Sequence, residues 1–62
     1  MHLFPGDIVK FHGKTHSMAE MGLVLRKLDN WSDLYQIYLF RLNKKVYTQL
    51  SYCELVFSID DY

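Results

Sequence analysis

Three residue types in this chain could carry chemistry: histidine, cysteine and paired carboxylates. His12 and His16 have a spacing seen in metal sites, but Cys53 is far from them in the chain, and a structural zinc ion takes four ligands. A nucleophilic Cys53 would need a nearby base and electropositive surroundings, whereas Glu54 beside it is expected to raise the thiol pKa. We therefore expect no metal ion, no cofactor and a buried, inert thiol.

Three carboxylates, Asp29, Asp33 and Glu54, could form the pair that a hydrolase needs. Asp29 and Asp33 bracket a predicted turn that contains Trp31, where aspartate is expected because its side chain hydrogen-bonds turn backbone. A domain of this size also has no room for a pocket of a few hundred Å³. The sequence therefore predicts a protein that is not an enzyme.

The elements that would position these side chains belong to one small domain, residues 1–62. A chain this short buries only about 60% of its unfolded surface, so its stability is marginal. Half of the residues are apolar and 16% are aromatic, which is typical of a compact β domain. Seven basic residues balance seven acidic ones. No export signal or long apolar run is found, which predicts a protein of the cell interior or of a virion, without a membrane partner.

The first half of the chain predicts two strands. Pro5 and Gly6 favour a turn, so the first strand should begin near Asp7 and end at Phe11. Residues 12–20 are polar and predict a long loop. The second strand is predicted over residues 22–28, with Val24 on the same face as Arg26 and Leu28.

The second half predicts a hairpin, a helical turn and a last strand. Residues 34–42 are apolar on both faces, and their Tyr, Ile and Phe content favours a strand over a helix. A polar turn at residues 43–45 leads into an alternating strand at 46–50. Ser51, with Glu54 three residues later, predicts a capped single turn of helix. Residues 55–59 complete the set as a fifth strand.

Together these elements predict an all-β fold. The segments Gly6-Asp7-Ile8-Val9, Gly22-Leu23-Val24-Leu25 and Cys53-Glu54-Leu55-Val56, with the aromatic hairpin between the last two, resemble small SH3-like barrel proteins encoded by tailed bacteriophages. The resemblance implies a five-stranded SH3-like barrel with one short helical turn before the last strand. It also implies a virion component, such as a head-decoration or connector protein. The Trp-Trp pair of peptide-binding SH3 domains is absent, so polyproline binding is not implied.

The aromatic hairpin is the strongest functional signal, because a small barrel cannot bury both of its faces. We expect it to bind another protein or a second copy of this chain, since Trp and Tyr are favoured anchors of interfaces. A phage-encoded inhibitor would bind its host protein in the same way, by burying this aromatic surface. The predicted partner-binding residues are Met18, Met21, Trp31, Tyr35, Tyr38, Phe40 and Tyr47.

The alternative is a nucleic-acid-binding barrel related to the KOW type, whose first strand begins similarly. Tyrosines interleaved with basic residues could stack bases beside a basic rim. The neutral net charge argues against it, because a phosphate-binding domain usually has a basic excess. The predicted contacts are Lys14, Arg41, Lys44 and Lys45.

Overall fold

A computed structural model describes residues 2–12, 19–28 and 33–59. Five antiparallel strands form one sheet in the order β4-β3-β2-β1-β5, and a 3-10 turn at Leu50–Tyr52 precedes the last strand. The strands are β1 (Ile8–Phe11), β2 (Glu20–Lys27), β3 (Leu34–Leu39), β4 (Lys44–Gln49) and β5 (Cys53–Phe57). The predicted all-β, five-stranded architecture is confirmed.

The short link between β4 and β5 requires the sheet to curl. These two strands lie at opposite ends of the sheet, so in a flat sheet four spacings of ~4.8 Å would separate them by about 19 Å. The 3-10 turn that joins them has three residues. Even a fully extended chain from Gln49 to Cys53 spans only about 14 Å. The two ends of the sheet therefore approach each other, as in a small barrel.

The start of the fold follows the turn chemistry of Pro5 and Gly6. Gly6 has a φ of 99°, which only glycine adopts readily, and the Asp7 backbone N–H donates to the Phe4 carbonyl at 3.0 Å. Asp7 is itself buried. Its carboxylate accepts hydrogen bonds from the backbone N–H groups of Phe4 and Ile59, each at 2.9 Å. One side chain thereby joins the first turn to the end of the chain after β5.

The core lies on the concave face of the sheet. Its buried apolar residues are Leu3, Val9, Val24, Tyr35, Ile37 and Leu39. Tyr35, Ile37 and Leu39 alternate along β3, so this face of the hairpin, and not the face that carries Tyr38, is the core face. β3 lies between β2 and β4, so both of its edges are paired.

A β-bulge corrects the predicted face of β2. Val24 pairs with Ile37 and Arg26 pairs with Gln36, so Leu25 is an extra residue without an opposite partner. A bulge breaks the alternation of side chains. Val24 is buried, while Arg26 is exposed and, contrary to the prediction, does not share its face.

Element boundaries in the second half also differ from those predicted. β3 ends at Leu39, and the connection to β4 is the four-residue turn 40–43, in which Asn43 has a φ of 52°. Asparagine tolerates this left-handed conformation, which ends the strand. Lys44 and Lys45 consequently belong to β4 and not to the turn. Phe40, Arg41 and Leu42 lie in the turn and not in β3.

The helical turn and the last strand begin earlier than expected. The 3-10 turn has no side-chain cap, so the predicted capping box of Ser51 and Glu54 does not form. Glu54 is instead part of β5 and pairs with Lys10. Pairing with β1 fixes β5 at Cys53–Phe57, and Ile59 lies beyond it.

Candidate functional site

The convex face of the sheet carries an apolar row across four adjacent strands. Residues that pair directly across neighbouring strands share a face. Ile8 pairs with both Leu23 and Phe57, and Leu23 pairs in turn with Tyr38. Ile8, Leu23 and Tyr38 alternate with core residues along their own strands, so they point away from the core. Phe57 follows a β-bulge at Val56, which brings it opposite Ile8 on the same face, and it is exposed. The row runs without a polar interruption from β5 through β1 and β2 to β3.

Two further side chains widen this row. Met21 lies two residues before Leu23 on the same face of β2 and is exposed. Phe40 is also exposed, and its ring packs edge-on against Tyr38 with 5.8 Å between the centroids. The Phe40 N–H donates to the Met21 carbonyl at 3.1 Å, which holds the turn against β2. The outer apolar face consists of Ile8, Met21, Leu23, Tyr38, Phe40 and Phe57.

Polar residues border the outer apolar face on two sides. Lys10 pairs with Met21 and with Glu54, and Lys45 pairs with Tyr38 at the β4 end of the row. The free side of an antiparallel sheet is normally a solvated, alternating polar face. A contiguous apolar patch with a polar rim is instead a mark of an interaction surface. The arrangement can bury apolar area against a partner, and it offers no reactive group.

The predicted partner-binding residues separate into three groups. Met21, Phe40 and Tyr47 are exposed and Tyr38 is half-buried. Tyr35 is only 1% exposed, and its hydroxyl accepts a hydrogen bond from the Leu3 N–H at 3.4 Å. The prediction for Tyr35 is therefore corrected, because a core side chain cannot contact a partner. Met18 and Trp31 lie outside the described residues.

Three residues of the outer apolar face, Ile8, Leu23 and Phe57, are not among the predicted partner-binding residues. Each lies in a segment whose sequence predicts a strand and nothing else. The available signal was their register: Ile8 and Leu23 flank the core residues Val9 and Val24 on the opposite face. Pairing them with each other requires knowing which strands are neighbours, which the sequence alone did not establish.

The predicted basic residues are not equivalent in the structure. Arg41 forms a bidentate ion pair with Glu20, in which Arg41 Nε lies 3.0 Å and 3.1 Å from the two carboxylate oxygens. The hydrogen bond from Arg41 lowers the pKa of Glu20, and the same contact raises the pKa of Arg41. Lys44 and Lys45 are exposed on β4. Lys14 lies outside the described residues.

The structure describes only some of the residues considered for chemistry. His12 Nε2 lies 3.5 Å from Glu54 Oε2 in an exposed pair, while His16 and Asp29 lie outside the described residues. Within the described ranges, no group of three or more His, Cys, Asp or Glu side chains could hold a metal ion.

Cys53 is half-buried beside the core, and burial raises the pKa of its thiol to about 11 from 9.0. Burial, and not the neighbouring Glu54 carboxylate, is the cause. Each pKa unit lowers the thiolate fraction tenfold at neutral pH. A thiol that stays protonated is a poor nucleophile.

Alkylation of Cys53 should show this protection directly. At pH 8, iodoacetamide should react with the folded protein about 100-fold more slowly than with the urea-unfolded chain, from the thiolate fractions alone. Because the pKa of the Cys53 thiol is higher in the folded state than in the unfolded state, the protonated thiol contributes to the free energy of unfolding. This contribution is fully present below about pH 9 and is lost as the pH rises towards 11. Equal alkylation rates in the folded and unfolded states, measured by mass spectrometry, would contradict the buried placement.

Comparisons with known proteins give no match: no protein-family model, no curated protein and no solved structure matches the chain. The resemblance to SH3-like phage proteins therefore stays a prediction. In the part of the chain that the structure describes, no helix is long and apolar enough to cross a membrane.

Proposed function

We propose that this protein is a non-enzymatic binding module whose outer apolar face docks on another protein or on a second copy of the chain. The observation that carries the proposal is the unbroken row Phe57-Ile8-Leu23-Tyr38 on the side of the sheet that faces away from the core. Burying such a row contributes roughly 25 cal/mol for each Å² of apolar surface removed from water.

The shape of the face suggests the shape of its partner. The sheet curls around its core, so the outer apolar face is a convex ridge, which a concave groove or a shallow cradle would cover best. The Tyr38 and Phe40 rings, packed edge to face, supply the rigid aromatic anchors that dominate interface energetics. Docking would also offset the marginal stability of so short a chain, because a ligand that binds only the folded state stabilises it.

The biological setting that we propose is a virion component of a tailed bacteriophage, either a head-decoration or a connector protein. Its support is the sequence resemblance alone. An inhibitor of a host protein is the alternative setting, and it would use the same face on a different partner. In both settings the outer apolar face binds a protein partner, so one variant of that face tests both.

Met21→Glu should abolish partner binding without disturbing the fold. Met21 is exposed and sits opposite Lys10, so a glutamate there gains a favourable cross-strand pair in the free protein. In the complex the same carboxylate would be desolvated against apolar surface. The affinity should fall about 30-fold or more, equivalent to ~2 kcal/mol, when the tagged protein is captured from its native source and the co-purifying partner is quantified.

Ser51→Glu is the matched control. It adds the same charge at an exposed position of the 3-10 turn, away from the outer apolar face, and it should retain the partner. Thermal melts of both variants should coincide with the wild type. Equal partner recovery with Met21→Glu and Ser51→Glu would refute the assignment of the face, and a strictly monomeric wild-type protein that recovers no partner would refute the function.

A further inference from the structure

The neutral net charge hides a strong separation of charge in the structure. Within β2, β3, β4 and the turn 40–43, the only acidic residue is Glu20. The basic residues of the same elements are Arg26, Lys27, Arg41, Lys44 and Lys45. This half of the sheet is therefore basic, even though the whole chain is balanced.

Two of these five cations are already engaged. Arg41 and Glu20 neutralise each other, and the Lys27 ammonium lies 5.9 Å from the centroid of the Tyr35 ring. None of the carboxylates in the described ranges forms an ion pair with Arg26, Lys44 or Lys45. Asp33 directly precedes β3. It lies three residues, or about 10 Å along a strand, from Gln36, the partner of Arg26, and about 17 Å from Tyr38, the partner of Lys45. Arg26, Lys44 and Lys45 thus have no acidic or aromatic partner among the described residues.

An exposed aromatic ring lies among these charges. Tyr47 is 60% exposed and follows Lys45 by two residues, so both side chains project from the same face of β4. Arg26 Nε donates to Gln36 Oε1 at 3.2 Å, and Gln36 Nε2 donates to the Tyr47 hydroxyl at 3.5 Å. This chain of hydrogen bonds fixes the tyrosine and the arginine relative to each other across three strands.

We infer that the strip formed by Arg26, Gln36, Lys45 and Tyr47 on one face of the sheet binds single-stranded nucleic acid. Lys44 pairs with the core residue Leu39, so it projects from the opposite face and is not part of the strip. An exposed ring stacks on any base, and neighbouring cations pair with the phosphates that flank it. A duplex keeps its base faces stacked internally and would meet only the charges. The strip adjoins the outer apolar face, because Lys45 pairs with Tyr38, but it shares no residue with that face. The inference therefore does not depend on the proposed protein partner.

Fluorescence anisotropy with a labelled 15-nucleotide oligothymidine tests the inference. Binding should be detectable at 20 mM salt, with log K falling against log salt with a slope of about −1.4, from two phosphate contacts on a single strand. Lys45→Ala should reduce the slope to about −0.7, which is one contact. Lys10→Ala removes a cation on β1 beside Glu54 and should leave the slope unchanged.

Tyr47→Ala separates stacking from charge. It should weaken oligothymidine binding at least about fivefold at fixed salt, with the slope unchanged and with a wild-type thermal melt, since the ring is exposed. Polyglutamate of the same chain length stands in for an acidic protein partner. It should bind more weakly than oligothymidine, and its affinity should not change in the Tyr47→Ala variant. No oligothymidine binding at 20 mM salt, binding insensitive to Tyr47→Ala, or polyglutamate binding of equal strength would each overturn the inference.

Discussion

Gly22→Val should lower the free energy of unfolding by at least about 3 kcal/mol, beyond the typical 1–3 kcal/mol cost of an overpacked core. A single core in a chain of this size seldom supplies more than about 3–5 kcal/mol. The variant should therefore be largely unfolded at room temperature, as judged by circular dichroism and by loss of dispersion in the NMR spectrum.

The reason is the close approach of β3 to the Gly22 backbone. A Cβ atom added at Gly22 would lie 2.5 Å from Ile37 Cγ2 and 3.0 Å from the Tyr38 carbonyl oxygen. Ile37 is fully buried and has no room to retreat, and the carbonyl belongs to the backbone of a paired strand. Valine adds two more carbon atoms at the same place, so β2 and β3 would have to separate.

Met21→Val is the matched control for this prediction. It places the same side chain one residue earlier, on the exposed face of β2, where a β-branched residue suits a strand. Its melt should stay within a few degrees of the wild type. Cooperative, wild-type-like unfolding of Gly22→Val would mean that β2 and β3 do not pair in the register that places Gly22 opposite Leu39.

Asp7→Ala should destabilise the protein by about 3–5 kcal/mol. The Asp7 side chain is 1% exposed, and its two oxygens accept the Phe4 and Ile59 N–H groups. Removing the carboxylate leaves both N–H donors without an acceptor, and each unsatisfied donor costs roughly 1–3 kcal/mol of stability. Hydrogen bonds to a charged group lie at the upper end of this range. It also leaves a cavity behind the first turn.

Two variants make this prediction specific. Asp7→Asn keeps the shape but presents an amide nitrogen to one of the two donors, so its loss of stability should be intermediate. Asp33→Ala removes an exposed carboxylate and should change stability by less than about 0.5 kcal/mol, as is usual for surface positions. Urea titrations that give equal stability for Asp7→Ala and Asp33→Ala would contradict the role of Asp7.

Local chemistry made much of the fold predictable. The Pro5-Gly6 turn and the alternation in β4 follow from residue types whose backbone preferences are strong, whereas the short helical turn forms without the capping box that predicted it. Strand pairing could be inferred only for the hairpin of β3 and β4, because its partners are close in sequence. The pairing of β1 with β5 joins residues more than 40 positions apart, and no local pattern specifies it.

The errors have equally local causes. Leu34–Leu39 continues into apolar residues, so nothing in the pattern indicated that Asn43 would adopt a left-handed conformation and convert residues 40–43 into a turn. The bulge at Leu25 has no glycine to mark it. Tyr35 was predicted at an interface because a strand with two apolar faces does not reveal which one is the core, and only the register with Thr48 and the buried Leu3 decides it.

The sequence therefore predicted that the candidate site is an exposed aromatic surface, but it did not predict all of the residues that form this surface. Exposed aromatic surface on the hairpin was expected, and Tyr38, Phe40 and Tyr47 carry it. The row that links Tyr38 to Leu23, Ile8 and Phe57 depends on the neighbour relations of four strands. Likewise, zero net charge argued against nucleic acid only while the positions of the charges were unknown.

Site-specific photo-cross-linking tests the outer apolar face most directly. A benzophenone amino acid placed at Met21, in the cell or particle that naturally contains the protein, should give one or a few discrete adducts identifiable by mass spectrometry. The same probe at Asp33, an exposed position before β3, should not give them. If position 21 yields no adduct beyond those seen from position 33, the outer apolar face is not a binding surface.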